Sequence, residues 1–450
     1  MSNPVAFIHD LKFADLPEPI VQAAIRALTD TLGVAVAGSQ TKLSTIIRNH
    51  VAEHFAAGSN TPAYLWNDGR PVSATGAALA NGMTIDSVDA HDGQKLTKGH
   101  VGCGVIPALF ALTEATGNFD SDEFLTSLVI GYEIGSRAGI ALHSSVADYH
   151  TSGAWVALAT AALGARYLGL DGEQTRHAIG IAEYHGPRSQ MMRTIDHPTM
   201  VKDGSGWGSM AGVSAAYLAR EGFTGAPAIS MEAPELATIW GDLRDHWYIT
   251  EQYIKLYPVC RWAQPPVEAV LNLQRQHHFE PDDLAAIRVH TFHEAKRLST
   301  KHPKNTEEAQ YSLPYSVAAA LVHGTIGAEH VSDDALSNPD VARMQELIEI
   351  SETQAFNEAF PKNRIASVEL TLKDGQVLHS PPTEALGDPE NPITETGVQN
   401  KFAAFTNPVI GSANAENMLK SITGLAASPA HSTQAQLTQL AAQLAQHHSS

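Results

Sequence analysis

Val21, Ile25, Leu28, Leu32 and Val36 recur at intervals of three and four residues. Such spacing puts one apolar face on a helix over Pro19 to Ala37, after the proline-rich entry at Leu16 to Pro19. Leu43, Ile47, Val51 and Phe55 repeat the pattern in a second helix. Asp120 with Glu123 reads as a capping box before the apolar run Phe124 to Ile134, and Asp171 with Gln174 as another before Ile179 and Ile181. Ala154 to Leu168 and Ser209 to Ala219 are rich in Ala, Leu and Gly, the composition of closely packed helices. Two-residue alternation is almost absent before about residue 255.

The pattern changes after Pro258. Ala286 to Phe292 and Ile365 to Leu372 alternate and are β-branched, and Lys373-Asp374-Gly375 is a hairpin turn leading into Gln376 to His379. Pro314 to Val322 and Val341 to Ile350 read as helices between them, and Gly387 to Pro392 (GDPENP) as a return linker. Phe402 onward is helical again, and Gln434 to Gln446 forms a last helix whose polar tail is expected to fray. The expected fold is mainly α. An all-helical main domain covers residues 1–264 and 391–450, and a smaller α+β domain is inserted over residues 265–390.

Composition narrows the function. With 43% hydrophobic and 17% charged residues the chain is ordinary globular material. No run approaches the ~20 apolar residues of a membrane helix, and the N-terminus lacks a basic-then-apolar signal. Two cysteines, Cys103 and Cys260, argue for a reducing compartment, and a cytoplasmic location is expected. A net charge of −19 argues against nucleic acid and anionic membrane surfaces as partners. An acidic protein that binds an acidic substrate must do so with locally placed cations.

Candidate chemistry concentrates in Ile85 to Pro107, where Asp86, Asp89, His91, Asp92, Lys95, Lys98 and His100 crowd between two apolar flanks. Acids, bases and imidazoles held between core-bound helices suit acid–base catalysis. Asp89, His91, Asp92 and His100 are also metal-ligand types, but their spacing matches no known cage and two lysines intervene, so no metal is expected. The glycine-rich run Gly204 to Gly212 follows no strand, which argues for close helix packing over a dinucleotide fingerprint. Lys202, at its mouth, reads by itself as a surface lysine. Lys255, between Tyr253, Ile254, Leu256 and Tyr257, is hard to leave solvated and reads as paired or shifted in pKa, with Arg261 nearby. His150 precedes a small-residue helix, and Tyr315 stands at a helix start where packing alone would explain it.

Taken in order, DTLGVAVAG at Asp30 to Gly38, DAHDG with GHVGCGVIP, YHTSGAW, the VKDGSGWGSMAG block, IKLYPVC, YSLPYSVAAALVHG and GDPENP resemble the MmgE/PrpD family over about residues 5 to 420. That family includes 2-methylcitrate dehydratase, cis-aconitate decarboxylase and iminodisuccinate epimerase. The resemblance implies a helical main domain, an α+β lid, a homodimer and no cofactor. It also implies catalytic roles for Asp89, Asp92, His100, His150 and Tyr315, and substrate-binding roles for Lys202 and Lys255. Two departures stand out. Val101 follows His100 where members commonly have proline, and Arg261-Trp262 stand where they often carry a Thr-His pair.

The shared step of these enzymes is removal of a proton α to a carboxylate, or the related loss of CO₂, from a small polycarboxylic acid. Negative charge then builds on an enediolate and requires fixed cations, a need that Lys202, Lys255 and Arg261 meet. His100 and His150 fit the acid and base, and Asp89 or Asp92 a histidine orienter or the base itself. The expected activity is a hydro-lyase resembling 2-methylcitrate dehydratase, with a decarboxylase or epimerase as alternatives. A metal-dependent hydrolase and a catalytically silent binding protein are the readings from other classes.

Overall fold

A computed structural model of the chain describes residues 3–426 and 430–446. The polar tail expected to fray lies outside them. Helices dominate, and the strands before residue 255 are two-residue pairs. The helix Glu18–Gly38 corrects one expectation, being long and apolar enough by length and composition to cross a membrane. From Ala27 to Gly38 it is buried without interruption, so it is a core helix of the fold.

Local sequence explains the packing. Asp171 and Gln174 close their capping box reciprocally. Asp120 caps the backbone of Glu123, but the Glu123 carboxylate turns to Arg166 at 2.6 Å, so that box is half-formed. The glycines of Ser205–Arg220 serve close approach. A Cβ on Gly206 would lie 2.4 Å from the Leu79 carbonyl oxygen, and one on Gly208 2.3 Å from that of Gly153. Any side chain there would push apart the helices that carry the site.

Past residue 257 a second core forms, with Trp262, Val270, Ile287, Val289, Phe292 and Val368 among its members. It covers a five-stranded sheet in which Ile348–Glu352, Leu284–Thr291, Ile365–Leu372 and Val377–His379 lie side by side, and Thr383–Glu384 also pairs with Ile365–Leu372. The Ile348–Glu352 strand corrects the helix expected over Val341 to Ile350. The helix ends at Glu346, and Ile348 and Ile350, alternating with polar neighbours, pair in parallel with Ile287 and Val289. Two-residue alternation in the last part of that run outweighed helical spacing in the first.

Three ties bring the parts together at one place. Gly93 and Gln94 pair with Tyr253 and Gln252. The Gly387 carbonyl accepts from the Ile254 amide at 2.9 Å, and at φ +95° with Ile254 O 1.9 Å from any added Cβ, only glycine fits there. Lys401, on the Glu395–Ile410 helix, donates to Asp30 at 2.5 Å and to the Ala90 carbonyl at 2.6 Å, pinning the acidic loop from beneath.

Candidate active site

The helix Ala74–Asp86 ends in the acidic loop, and the next helix starts at Gly102. The loop is not solvated: Asp86, Asp89, His91, Asp92 and His100 are all buried. Burial of so many ionisable groups is costly unless each finds a partner or changes its charge.

Asp89 stands at φ +47°, an uncommon conformation for a residue other than glycine. Its Oδ1 accepts from the Lys255 ammonium at 2.6 Å, and its Oδ2 has no hydrogen-bond partner. Burial pushes this carboxyl up, but Lys255 and Lys202 outweigh it and hold it below the ordinary carboxylate range. Asp89 is therefore a carboxylate with one oxygen engaged and one open.

His100 is fixed at two points. Its backbone N–H donates to Ser152 Oγ at 2.9 Å, and its Nδ1 lies 2.5 Å from the Asp92 carbonyl oxygen. A carbonyl only accepts, so Nδ1 carries the hydrogen and Nε2 keeps its lone pair. Burial, then the Lys255 charge, moves the His100 pKa below its ordinary value, so the ring is neutral at pH 7. His91 lies beside it with ring centroids 4.3 Å apart. Both His91 nitrogens lack hydrogen-bond partners, and burial, followed by competition with His100 for a proton and the Lys255 charge, depresses its pKa well below the usual value.

Lys202, also at positive φ (+48°), brings in the second cation. Its Nζ donates to Gln310 Oε1 at 2.5 Å and lies 4.8 Å from the Tyr311 ring centroid. It lines a cleft of about 480 Å³ together with Thr151, Arg193, His197, Gly204 and Trp207. Ser152 donates to Asp203 at 2.5 Å, and Asp86 accepts from the Asp203 amide at 3.2 Å. The group that accepts from the backbone at the start of the glycine-rich helix is thus the protein's own Asp86 carboxyl. Burial, then the Asp203 charge, raises its pKa to about 8.

Donor atoms of Asp89, His91 and His100 lie within 4.8 Å of one another, the one group among the described residues that could converge on a metal ion. The Lys255 ammonium already occupies Asp89 Oδ1, with Lys202 close enough to depress the same carboxyl. A divalent cation would have to displace the first and stand against the second.

Four of the expected site residues lie elsewhere or act differently. The Asp92 side chain faces the helical core, where Oδ2 accepts from Tyr132 at 2.6 Å; its link to His100 is through its main chain. His150 turns to the Asp148 carbonyl and to His143, with no hydrogen bond, ion pair or ring contact to His91, His100 or Asp89 among the described residues. Ser152, two positions on, makes the link expected of it. The Tyr315 hydroxyl donates to the His330 carbonyl at 2.8 Å within the second core, and Tyr311 is the tyrosine beside Lys202. Arg261 pairs with Asp388 at 2.6 Å and donates to the Leu386 carbonyl, so its charge clamps the return linker. Sequence reading counted His91 in the acid–base cluster and as a ligand type without a role of its own, noted Asp203 only beside Lys202, and passed over Gln310, Tyr311 and Ser152. None of these has a local signal, because each is recruited by its tertiary neighbours.

Comparison with known proteins gives the family. Residues 5–237 match the MmgE/PrpD N-terminal domain and residues 257–425 the MmgE/PrpD C-terminal domain. The chain is 23% identical to the cis-aconitate decarboxylase of Homo sapiens over 461 aligned residues, covering 93% of this chain and 90% of the relative. It is also 23% identical to the cis-aconitate decarboxylase of Aspergillus terreus, covering 91% of this chain and 89% of the relative. Identity to the mitochondrial 2-methylcitrate dehydratase of Yarrowia lipolytica is 28% over 291 residues, covering 58% of this chain and 54% of the relative.

Proposed function

The chain belongs to the MmgE/PrpD family, and on that premise we propose that it is a cofactor-independent lyase removing the proton α to a carboxylate of a small polycarboxylic acid. The observation that carries this reading is the tautomer of His100. With Nδ1–H held by the Asp92 carbonyl, Nε2 is a neutral base beside two lysines and the open oxygen of Asp89. Lys202 and Lys255 stabilise the carboxylate as it becomes an enediolate. His100 Nε2 takes the proton from the α-carbon. In a hydro-lyase the carbon–carbon double bond then forms as the β-hydroxyl leaves, and the proton departs with it as water. His91, with two open nitrogens at 4.3 Å between ring centroids, relays that proton.

A second reading is favoured by the relatives aligned over nine-tenths of their length, which are named cis-aconitate decarboxylases. There Nε2 of the same imidazole first takes a proton from solvent as the polyanionic substrate binds, and the imidazolium then delivers it to the carbon left by departing CO₂. Since the residues come from both parts of the chain and are buried, the sheet-bearing part acts as a lid that opens to admit substrate. A homodimer with no bound cofactor completes the proposal.

The deciding experiment offers 2-methylcitrate, cis-aconitate and related acids to the purified protein, following alkene absorbance, CO₂ release and exchange of the α-proton with D₂O. Exchange with alkene formation supports the hydro-lyase, and CO₂ release the decarboxylase. Neither product nor exchange from any of these acids would sink the reading.

A further inference from the structure

Among the described residues, Arg137, Lys202, Lys255, Arg261, Arg364 and Lys401 carry buried cationic side chains. Four are neutralised by carboxylates: Arg137 by Asp242, Lys255 by Asp89, Arg261 by Asp388 and Lys401 by Asp30. Lys202 and Arg364 are not. An acidic chain, with 48 Asp and Glu against 29 Lys and Arg, had counter-ions in excess to supply. Leaving a buried guanidinium without one is costly, and the cost is removed when an anion arrives.

Arg364 is 3% exposed and precedes the strand Ile365–Leu372. Nη2 makes a long hydrogen bond to the Lys95 carbonyl at 3.4 Å, the guanidinium also reaches the Tyr253 hydroxyl, and Nε has no partner. Asp388 is no free counter-ion, since Oδ1 bonds Arg261 at 2.6 Å and Oδ2 bonds Lys95 at 3.1 Å. The guanidinium carbon lies 5.4 Å from the Tyr253 ring centroid, and the His100 ring lies 6.3 Å from the same centroid. Arg364 is therefore one aromatic ring from the proposed base, approaching from the sheet-bearing part, whereas Lys202 approaches from the helical part.

We propose that Arg364 anchors a second carboxylate of the substrate, remote from the reacting carbon, and so selects tricarboxylates over dicarboxylates. The inference rests on the polycarboxylate reading above and deepens it. A planar fork with unused donors suits bidentate capture of a carboxylate. Because the fork stands at the start of a strand of the sheet and Lys202 just before the glycine-rich helix, a two-ended acid that engages both would link the two parts of the chain.

The test is calorimetric titration of wild type, Arg364→Gln and Arg364→Lys with three probes. These are tricarballylate and two acids that each lack one of its carboxylates, glutarate and methylsuccinate. The expected result is that Arg364→Gln weakens tricarballylate about tenfold or more, as for loss of a charge-assisted contact. At least one diacid should be nearly unaffected, and Arg364→Lys should recover part of the loss. The thermal midpoint of ligand-free Arg364→Gln should stay near that of wild type, because Asp388 keeps its bonds to Arg261 and Lys95 and no carboxylate loses a partner. Equal losses for all three acids, no loss for any, absence of tricarballylate binding in wild type, or a collapsed midpoint would overturn the subsite. Turnover of wild type is measured separately. Binding through Arg364 without turnover would sink the lyase reading and leave the subsite standing.

Discussion

Lys255 holds its ammonium 2.6 Å from Oδ1 of Asp89, both side chains being buried, while Oδ2 of the same carboxylate is unpartnered. Half of this ion pair is structural and half is exposed to the group that includes His91 and His100. A buried pair of this kind costs more when one member is removed than when both are, because the survivor keeps its charge without compensation. Lys255→Met should therefore destabilise the protein by about 3–5 kcal/mol. The double variant Asp89→Asn/Lys255→Met should be more stable than Lys255→Met alone. Calorimetric unfolding decides it, and purely additive losses would show that the two side chains do not depend on each other.

Lys202 is held by a neutral amide, Gln310, and by no carboxylate. Its removal leaves no orphaned charge behind, so Lys202→Met should hardly move the thermal midpoint. Binding of a polycarboxylate should weaken by about 1.5–3 kcal/mol, the usual worth of a hydrogen bond to a charged group. Full kcat/KM in a destabilised variant would make Lys202 a packing residue.

These two lysines show how far sequence reading reaches. Lys255 declared itself, because four bulky neighbours leave an ammonium no route to water. Lys202 did not, since its burial depends on Gln310 and Tyr311, over a hundred positions away. Arg261 misled for the same reason: its partner Asp388 is 127 positions distant, and proximity in sequence to Lys255 suggested a role at the site. The helical half and two long strands were legible from spacing. The strand Ile348–Glu352 was not, because its short alternation adjoins a helical run and its register is set by Leu284–Thr291.

Asp92 makes a pH prediction. Burial lifts its pKa to about 7, although the Tyr132 hydroxyl opposes the shift. A folded-state value above the unfolded one of 3.8 means the native protein binds the extra proton. That stabilisation is fully present below the unfolded value and is lost as pH rises through about 7. At most it amounts to about 4 kcal/mol. Asp92→Asn keeps an oxygen for Tyr132 and cannot ionise, so stability should fall less between pH 5 and pH 8.5 than in wild type. Identical pH slopes in chemical denaturation would show that Asp92 does not hold that proton.

His100 carries the mechanism, and its neighbours define what should be seen. It is neutral at pH 7 because burial and then Lys255 lower its pKa, so kcat/KM should be flat near neutrality and fall only on an acid limb below pH 6.5. Lys255→Met removes one lowering charge and frees the Asp89 carboxylate, which acts in the raising direction; both changes move the acid limb to higher pH. His100→Asn should lose about 10²–10⁴-fold in turnover, the usual worth of a general base, and should also stop exchange of the substrate's α-proton with D₂O. His91→Asn should keep exchange while forming less product, if it passes the proton to the leaving group after abstraction. His150→Asn should stay near wild type in both measurements, since that ring bonds the Asp148 carbonyl and stacks on His143. Wild-type exchange in His100→Asn, or its loss in His150→Asn, would move the base from the first histidine to the second.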